Sequence, residues 1–494
     1  MPGKQKIAMI GLGPMGLNLA LNIKDHGFSI VGYNRGEEKR VKARKEGLKV
    51  ADSLGEAADF FGSEKRVFWL MVDADAVDVV LPQLAEYLRK GDVIIEGGNS
   101  HFMDTERRVK WAEEKGLNYI GTGVSGGEAG ARYGPSIMPG GTKEAYNAVS
   151  PILEAIAAKA PQDNKPCVSY NGPGGAGHFV KIVHNGIEYG VMAMIGEAVW
   201  LLKESLDLDF KETGKIMEKW NKKNDVLSSY LMEITSDALQ QKDSKEKSLL
   251  ANYIADITRM KGTGMWTANT ANELLVPIPA IYSAIISRLQ SMEKTLRMEI
   301  NNNINIKIKK IKIKDKNKFI AQVHNALYAA NLSSYAQGMA LIAAGSEKWN
   351  YGINLSNVAK DWRAGCIIRA PALLHAISEA YKNKKKQPEN LILHGPFMKI
   401  LGKGIEDLAA VTSAARDVGV PVPVLDAAYN YLKQISSKVL VSASIMAMQR
   451  DYFGAHQYFR IDKNGALLLN KKKQVREFHT EWMKRGRQEI EVTK

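Results

Sequence analysis

One stretch of the sequence combines residue types that can move protons at a helical spacing. Residues 178–189 read HFVKIVHNGIEY, and four polar residues fall at positions i, i+3, i+4 and i+7: Lys181, His184, Asn185 and Glu188. In an α-helix this spacing places them on one face, within an arc of roughly 100°. A solvated helix would show a broader polar side. The pattern therefore predicts a largely buried helix that opens one polar seam onto a cleft, with Lys181 and Glu188 about 10 Å apart along its axis.

A second candidate site is a glycine-rich turn near the N-terminus. It has the form G-x-G-x-x-G and follows a predicted strand at residues 7–10. Its members are Gly11, Leu12, Gly13, Pro14, Met15 and Gly16. Such a turn lets the backbone approach a pyrophosphate, which then faces the N-terminus of the next helix. Placed between a strand and a helix, the motif predicts a dinucleotide-binding site; without that context a glycine turn is weak evidence.

The residues after the second predicted strand bear on the choice of dinucleotide. NAD-binding proteins usually carry an acidic residue about 20 residues after the turn, where it holds the ribose 2′-hydroxyl. This chain has Asn34 and Arg35 there. Because a guanidinium can pair with a 2′-phosphate, the sequence favours NADP as the cofactor. The alternative is that Arg35 caps a solvent-exposed loop.

Two glycine-containing clusters also follow predicted strands. Residues 97–100 (GGNS) come after a strand at 93–95, and residues 123–127 (GVSGG) come after a strand at 118–120. Ligands of open α/β sheets bind beyond the carboxyl ends of the strands. Backbone N–H groups in such turns can hold an oxyanion. Each cluster could equally be a simple tight turn.

The elements that would position these groups are of two kinds. Strands alternate with helices over the first part of the chain, with a further strand at 67–72 and helices at 75–88 and 104–115. After a Pro-Gly-Gly sequence at 173–175 the pattern is helical to about residue 440. We therefore expect an α/β, Rossmann-like dinucleotide-binding domain over residues 1–175, a large all-α domain over 176–440 and a C-terminal tail over 441–494.

An internal repeat is expected within the helical part. A Val-His-Asn triplet at 183–185 is followed by Trp220 after 36 residues, and one at 323–325 is followed by Trp362 after 38 residues, counted from each His. We interpret this as two copies of one helical unit, at about 176–300 and 319–440. Chance similarity between two amphipathic helices is the alternative. Residues 301–318, made almost wholly of Asn, Ile and Lys, would be a linker between the copies.

The composition is that of a globular chain with more than one domain: 494 residues, 45% hydrophobic and 24% charged. Its net charge of +15 could indicate a nucleic-acid partner. However, segments 301–318, 382–386 and 471–494 account for 14 of those 15 charges. Since no aromatic residues are interleaved with the lysines of the first two segments, solvated loops and a tail explain the excess better, and we expect no nucleic-acid partner.

The sequence also narrows the compartment. Two cysteines in 494 residues exclude a disulfide scaffold and favour a reducing environment. No apolar run approaches the roughly 20 residues that cross a bilayer, and the N-terminal apolar stretch runs directly into the glycine turn, unlike a signal peptide. We therefore expect a cytoplasmic protein without a membrane partner and without a metal site.

At these residues the chain resembles 6-phosphogluconate dehydrogenases, the decarboxylating, NADP-linked enzymes of the pentose phosphate pathway. The resemblance covers most of the chain. Besides the segments above, it rests on GARYGP at 130–135, KGTG at 261–264 and QRDYFGAH at 449–456. Several of these motifs are long enough to be specific to this family.

The resemblance implies oxidative decarboxylation of 6-phospho-D-gluconate to D-ribulose 5-phosphate and carbon dioxide, with reduction of NADP. Lys181 would be the general base and Glu188 the general acid. The cofactor would be bound by the glycine turn and by residues after later strands: Asn34, Arg35, Gly36, Val72, Asp73, Ala74 and Asn99. The substrate would be held by Asn99, Ser125, Gly126, Gly127, His184, Asn185, Tyr189, Lys261, Arg288, Arg450 and His456. The family also implies a homodimer with shared active sites, in which the tail of one subunit carries Arg450 and His456 into the other.

Some residues depart from the family pattern. Gly36 stands where the family commonly has Thr or Ser beside the 2′-phosphate, so one hydroxyl contact is missing, and Asp73 stands where the family usually has Lys near the cofactor. In the second copy, Ala321 corresponds to Lys181 and Tyr328 to Glu188. We therefore expect that copy to be a scaffold. Another β-hydroxyacid dehydrogenase, such as one acting on 3-hydroxyisobutyrate, is the alternative enzyme, and a basic nucleic-acid-binding protein is the alternative of a different class.

Overall fold

The computed structural model describes residues 5–222, 225–309 and 313–492. Its contacts divide the chain into two compact units, one ending at Tyr429 and one running from Asn430. The α/β part and most of the helical part share the first unit. The predicted domain boundaries at residues 175 and 440 stay predictions.

The first unit begins with a seven-stranded sheet of order β3-β2-β1-β4-β5-β6-β7. Its strands are β1 (Lys6–Ile10), β2 (Ser29–Tyr33), β3 (Lys49–Val50), β4 (Val67–Leu70), β5 (Val93–Glu96), β6 (Asn118–Ser125) and β7 (Ser136–Gly141). Neighbouring strands are parallel except β6 and β7, which are antiparallel. The order reverses direction between β1 and β4, which is the switch point where dinucleotides bind in doubly wound sheets.

Helices cover both faces of this sheet. They are α1 (Pro14–Asp25), α2 (Glu37–Lys45), α3 (Leu54–Asp59), α4 (Ala74–Ala85), α5 (Phe102–Glu114), α6 (Gly127–Tyr133) and α7 (Lys143–Ile156). Successive strand residues point to opposite sides, so Ile7 and Met9 join one buried cluster while Ala8 and Ile10 join the other. Because both faces are covered, the central strands are continuous apolar runs. The expected α/β, Rossmann-like fold is confirmed.

The helical part follows as α8 (Ala176–Leu206), α9 (Phe210–Trp220), α10 (Tyr230–Gln240), α11 (Thr263–Glu273), α12 (Pro279–Met292), α13 (Lys294–Ile304), α14 (Lys316–Lys348), α15 (Leu355–Asp361), α16 (Pro371–Ala380), α17 (Gly395–Val418) and α18 (Pro423–Ile435). Short 3₁₀ turns lie at Leu250–Asn252, Lys384–Lys386 and Leu391–Leu393. The two longest helices, α8 and α14, pack against each other and form the centre of this part.

In the two predicted copies, the tryptophan of each packs on the histidine of the other. Trp220 of the first copy packs edge-on against His324 of the second, with ring centroids 5.4 Å apart at 76°. Trp362 of the second copy packs in the same way against His184 of the first, at 5.4 Å and 75°. Two independent helices that matched by chance would not share this reciprocal contact, so the geometry supports the interpretation as a duplication.

A further pair of contacts relates the copies. Thirteen residues after the histidine of each copy, a side chain caps another helix. The carboxylate of Glu197 accepts two backbone N–H groups at the start of α18, both at 2.9 Å, and Gln337 Oε1 accepts from the N–H of Ala280 at 3.1 Å. Both capped helices begin at the last proline of a V-P-x-P sequence, at 276–279 and 420–423. This repeated motif is a further sequence signal that favours a duplication.

The expected linker at 301–318 is partly helical. Its first residues belong to α13, which ends at Ile304, and its last three to α14, which begins at Lys316. Residues 310–312 lie outside the described part of the chain. The linker prediction therefore applies at most to the residues between these helices.

The second unit contains α19 (Val441–Gly454) and a small antiparallel sheet of order β10-β9-β8. Its strands are β8 (Tyr458–Phe459), β9 (Glu477–Thr480) and β10 (Glu489–Val492). We did not predict these strands, since each has only two to four residues. Within this unit the carboxylate of Asp451 is fully buried and joins α19 to β9.

Candidate active site

The glycine turn forms a cradle that is closed at two glycines and open at the third. Gly11 has φ +101°, and a Cβ there would lie 2.4 Å from the carbonyl oxygen of Met71; a Cβ on Gly16 would lie 2.0 Å from the carbonyl oxygen of Gly11. Around Gly13, by contrast, nothing lies within 4 Å of a Cβ position. The backbone is therefore approachable at Gly13, at the N-terminus of α1, where no side chain caps the first N–H groups. These features fit a dinucleotide pyrophosphate.

The loop after β2 is fixed by its own hydrogen bonds. Asn34 Oδ1 accepts from the N–H of Leu12 at 3.1 Å, which ties this loop to the glycine turn. Arg40 Nη1 donates to the carbonyls of Asn34 and Arg35, at 2.8 and 2.9 Å. The Arg35 side chain is exposed and makes no ion pair with any residue that the structure describes. Its guanidinium is therefore available for an anion, while Gly36 beside it offers only backbone.

The loops after β4 and β5 lie against each other. A Cβ on Gly98 would lie 2.4 Å from the carbonyl oxygen of Val72. Asp73 is the N-cap residue of α4, and its side chain makes no capping hydrogen bond. Buried Arg108 joins the loops: its Nη1 lies 2.6 Å from Glu96, and its Nη2 donates to the carbonyl of Ala74 at 3.3 Å.

Glu96 in turn fixes the loop that carries Asn99. It is fully buried at the end of β5, and its carboxylate accepts hydrogen bonds from Ser100 and, at 2.6 Å, from Tyr119. The pKa of Tyr119 is raised because the ring is buried beside this carboxylate. Glu96 and Arg108 were not predicted, since their partners come from separate segments of the chain and no local spacing signals them.

The N-terminal half of α8 lies directly on β6 because two residues of that strand lack side chains. A Cβ on Gly121 would lie 2.9 Å from His178 Nδ1, and one on Gly123 would lie 2.4 Å from the Cβ of Lys181. His178 is held by Thr105, whose hydroxyl is 2.7 Å from Nδ1. The sheet therefore sets the height of Lys181 above the ends of the strands.

Burial drives the two predicted proton-transfer groups toward their neutral forms. Desolvation lowers the pKa of Lys181, and Glu188 only partly opposes this effect. Desolvation raises the pKa of Glu188, opposed by Lys181 and Arg288. A neutral amine is a base and a neutral carboxyl is an acid, so burial favours the protonation states that a base and an acid need.

The seam residues between them form a short chain of polar contacts. His184 Nδ1 lies 3.0 Å from Asn185 Oδ1, and its Nε2 lies 3.3 Å from the hydroxyl of Ser125. Burial lowers the pKa of His184 well below its usual range, with Lys181 as a second cause. A neutral imidazole at this point can donate or accept a hydrogen bond without adding charge.

The turn that carries Ser125 is packed too closely for side chains. A Cβ on Gly126, which has φ +135°, would lie 2.2 Å from the carbonyl oxygen of Gly365. Gly127 follows with φ +63° and begins α6. Ser125 also accepts, at 3.5 Å, from the N–H of Ile367 in the loop after Trp362.

The far end of the seam carries cations. The guanidinium of Arg288 stacks on the ring of Tyr189, 3.5 Å from its centroid. A Cβ on Gly264 would lie 2.8 Å from that ring, so the start of α11 lies against it as well. Lys261 precedes this start and is exposed. An aromatic ring, a stacked guanidinium and a nearby ammonium suit an anionic group.

The predicted site residues thus lie in both units of the structure. Contacts within the first unit connect Lys181, His184, Asn185, Glu188, Tyr189, Ser125 and Arg288, and separately join the loops at 72–74 and 97–100 to each other. Arg450 and His456 belong to the second unit. Among the described residues, no cluster of three or more His, Cys, Asp or Glu side chains could hold a metal ion, and no helix is both long and apolar enough to span a membrane.

A doubly wound sheet with an open glycine cradle, and a buried lysine and a half-buried glutamate on one helix face, define a dinucleotide-dependent dehydrogenase. Family models match both parts of the chain: the NAD binding domain of 6-phosphogluconate dehydrogenase at residues 6–172 and the 6-phosphogluconate dehydrogenase C-terminal domain at residues 177–482. The chain belongs to the 6-phosphogluconate dehydrogenase family.

Named relatives agree with this assignment along nearly the whole chain. An NADP(+)-dependent, decarboxylating 6-phosphogluconate dehydrogenase of Bacillus subtilis is 42% identical, covering 97% of this chain and 100% of the relative. A decarboxylating 6-phosphogluconate dehydrogenase of Escherichia coli is 43% identical, covering 97% and 99%. The solved 6-phosphogluconate dehydrogenase of Plasmodium falciparum, described in apo form, with its cofactor NADP+ and with its substrate 6-phosphogluconate, is 38% identical, has a TM-score of 0.88, and covers 97% and 100%.

Proposed function

We propose that this protein is an NADP-dependent, decarboxylating 6-phosphogluconate dehydrogenase. It converts 6-phosphogluconate to ribulose 5-phosphate and carbon dioxide, as its relatives' names and the substrate-bound neighbour support. The observation that carries the proposal is the pair on one face of α8, a buried lysine whose pKa is lowered and a half-buried glutamate whose pKa is raised. Such a pair suits a reaction that needs both a base and an acid.

In the first step Lys181 acts as the base. Its neutral amine removes the proton from the 3-hydroxyl of the substrate while the C3–H bond breaks. When bound, the oxidised nicotinamide of NADP supplies the acceptor for that hydride. His184, Asn185 and Ser125 hold the hydroxyl-bearing part of the substrate by hydrogen bonds, and this orientation is what makes the proton transfer efficient.

In the second step the 3-keto acid loses its carboxylate. The C1–C2 bond breaks, carbon dioxide leaves, and Lys181 returns its proton to the carbonyl oxygen, which gives an enediol. Glu188 then protonates the terminal enediol carbon as the enol proton returns to Lys181, and the product is ribulose 5-phosphate. Transfer of one proton from Lys181 to Glu188 through solvent restores both groups.

The remaining assignments place the charged ends of the ligands. Tyr189, Lys261, Arg288, Arg450 and His456 bind the phosphorylated substrate, chiefly at its phosphate, and the 123–127 turn and Asn99 hold its other end. The glycine turn would hold the pyrophosphate of NADP, Asn34, Arg35 and Gly36 would hold its adenosine end, and Val72, Asp73, Ala74 and Asn99 would complete the cofactor site. The open backbone at Gly13 and the exposed guanidinium of Arg35 support this distribution.

The active enzyme is a homodimer in which the tail of each subunit completes the site of the other. The tail helix α19 supports this, because only Asp451 on it is buried. Its exposed apolar residues are Val441, Ile445, Met446, Met448, Tyr452 and Phe453. So much apolar surface on one helix is typical of an interface.

We place the enzyme in the cytoplasm. Cys167 and Cys366 are both buried and unpaired, which suits a reducing compartment.

An assay with 6-phosphogluconate tests the function. Purified chain is mixed with substrate and NADP, and NADPH and carbon dioxide are measured together; equal amounts support the proposal, while NADPH without carbon dioxide contradicts the second step. With NAD in place of NADP, kcat/KM is expected to fall at least about tenfold because Arg35 loses its phosphate partner. A chain that binds nucleic acid in a salt-dependent way and oxidises no phosphorylated sugar acid would point to the basic-protein alternative.

Shared sites are tested by mixing two inactive variants. In a mixed dimer of Lys181→Ala and Arg450→Ala, one of the two sites is intact only if the two residues come from different subunits. Random reassociation then restores about a quarter of wild-type activity. No recovery, with dimers confirmed by sedimentation, contradicts site sharing.

A further inference from the structure

The carboxylate of Asp451 is the centre of the second unit. It lies between exposed Arg450 and exposed Tyr452, yet it is fully buried. Each of its oxygens receives two hydrogen bonds. Oδ1 accepts from the N–H of Gln457 at 2.9 Å and lies 2.8 Å from His479 Nδ1.

The other oxygen binds the strand side of the unit. Oδ2 accepts from the N–H of Thr480 at 3.0 Å and from the indole N–H of Trp482 at 2.9 Å. The ring of Trp482 also packs against Tyr452, with centroids 5.1 Å apart. One carboxylate therefore holds helix α19, the turn after it and the end of β9 together.

The turn after α19 carries His456 and has an unusual backbone conformation. Its two neighbours, Ala455 and Gln457, have φ +47° and +64°, a region that residues with a Cβ rarely adopt. A Cβ on Gly454 would lie 2.6 Å from His456 Nε2, so the imidazole lies directly on the glycine backbone. The backbone carbonyl and the carboxylate of Asp451 both hold this turn. The carbonyl accepts a hydrogen bond from the N–H of Ala455 at 2.9 Å, and the carboxylate accepts one from the N–H of Gln457.

We propose that Asp451 is a positioning residue that fixes the His456 turn relative to Arg450, so that the tail presents both groups to the substrate phosphate. The inference rests on the proposed function, which assigns Arg450 and His456 to that phosphate. It goes beyond that function by assigning their geometry to a residue that touches no ligand itself.

The charge state of Asp451 agrees with this role. Burial raises its pKa, but the hydrogen bonds from Thr480, His479, Trp482 and Gln457 outweigh burial, and the pKa is lowered. Asp451 is thus an ionised acceptor surrounded by donors. An amide at this position would turn an NH₂ group toward two of those donors and leave them without an acceptor.

Kinetics of Asp451→Asn and Trp482→Phe test the proposal. Asp451→Asn is expected to raise the KM for 6-phosphogluconate at least about tenfold, the effect expected for a disturbed charge-assisted contact, with the KM for NADP unchanged. Trp482→Phe keeps the aromatic packing and removes one donor, so a rise of about twofold to fivefold is expected. Glu481→Gln is the matched control, because Glu481 pairs with Lys484 and not with Asp451. It should leave all constants unchanged.

Arg450→Ala shows whether the phosphate contact exists, and limited proteolysis shows whether each variant tail is folded. Suppose that Arg450→Ala raises the KM for 6-phosphogluconate, while folded Asp451→Asn and Trp482→Phe leave it unchanged. That result overturns this inference and leaves the proposed function standing. Equal losses for substrate and NADP in Trp482→Phe overturn it too, since they indicate a general structural role. A wild-type chain that does not oxidise 6-phosphogluconate overturns the proposed function, and this inference with it.

Discussion

The two long helices α8 and α14 share a Val-His-Asn triplet but satisfy it differently. In α14, His324 Nε2 lies 2.9 Å from a carboxylate oxygen of Asp225, and Asn325 donates to Asp407 at 2.8 Å. Both polar groups of that triplet are thus paired with carboxylates inside the protein. Ala321 and Tyr328 stand at the positions of Lys181 and Glu188, so this face carries neither the amine nor the carboxyl group of α8.

The polar groups at the same positions of α8 have fewer hydrogen-bond partners. His184 Nε2 meets only the hydroxyl of Ser125, at 3.3 Å, and Lys181 makes no hydrogen bond through Nζ to any described residue. Its buried amine has Glu188 as its main charged neighbour. If α8 and α14 are copies of one helix, as the sequence predicts, they differ in their partners: the polar groups of α14 pair with carboxylates inside the protein, whereas those of α8 have fewer partners, as the proposed ligand contacts require.

The largest effect is expected when α8 is given the residue that α14 carries. Lys181→Ala copies Ala321 and removes the proposed base, so kcat should fall roughly 100- to 10,000-fold while NADP still binds. Steady-state kinetics and NADP titration measure both. Lys318→Ala, an exposed lysine in the first turn of α14, is the control and should be fully active. Near-normal turnover in Lys181→Ala would remove the distinction between the helices.

Glu188→Gln should lower kcat by about 100-fold and change the pH profile. Lys181 must be neutral, so activity rises as pH rises through its lowered pKa; Glu188 must be protonated, so activity falls as pH rises through its raised pKa. The wild-type profile is therefore bell-shaped, with apparent pKa values that belong to the pair. In Glu188→Gln the alkaline decline should disappear, and its persistence would assign that limb to another group.

Gly123→Ala should move the base without removing it. The new Cβ would lie 2.4 Å from the Cβ of Lys181, so α8 must shift, and kcat should fall about 10- to 100-fold. Gly196→Ala in the same helix meets nothing within 4 Å and should keep activity, with stability unchanged or raised by up to about 1 kcal/mol. Equal activity of the two variants would show that the height of α8 above β6 is unimportant.

The smallest effect on activity is expected in α14. His324→Ala leaves Asp225 without its imidazole partner and Trp220 without its ring contact, so the free energy of unfolding should fall by about 1–3 kcal/mol. Turnover should change less than about twofold, because no ligand contact is lost. Urea denaturation and kinetics measure the two quantities. His184→Ala is the counterpart, and we expect it to raise the KM for 6-phosphogluconate; the opposite pattern would exchange the roles of the copies.

Local signals predicted the sheet and the seam of α8 well. The strands at 29–33 and 67–70 are short apolar runs with clear ends, and the polar face of α8 depends only on helical spacing. Strand β7 was missed because it contains Pro139, which cannot donate to a ladder; it is tolerated because β7 is an edge strand.

Contacts between distant segments could not be predicted. The spacing from His184 to Trp220 indicated a repeat, but nothing in it showed that each tryptophan would pack on the histidine of the other copy. Likewise, Arg108 and Glu96 form a buried pair only because α5 crosses the end of β5. Such partners are set by tertiary packing, which a single sequence does not encode at any fixed spacing.

The contacts between each tryptophan and the histidine of the other copy also constrain when the active site can finish folding during synthesis. A ribosome releases the chain from its N-terminus, and Trp362, the ring that packs on His184, is made 178 residues after it. At ordinary elongation rates this is a delay of roughly 10–40 s. During that interval the α/β part can fold, while His184 lacks the tryptophan ring that packs on it. A chain interrupted before α15 would therefore contain both residues of the proposed acid–base pair. Its active site would still lack the ring of Trp362 against His184.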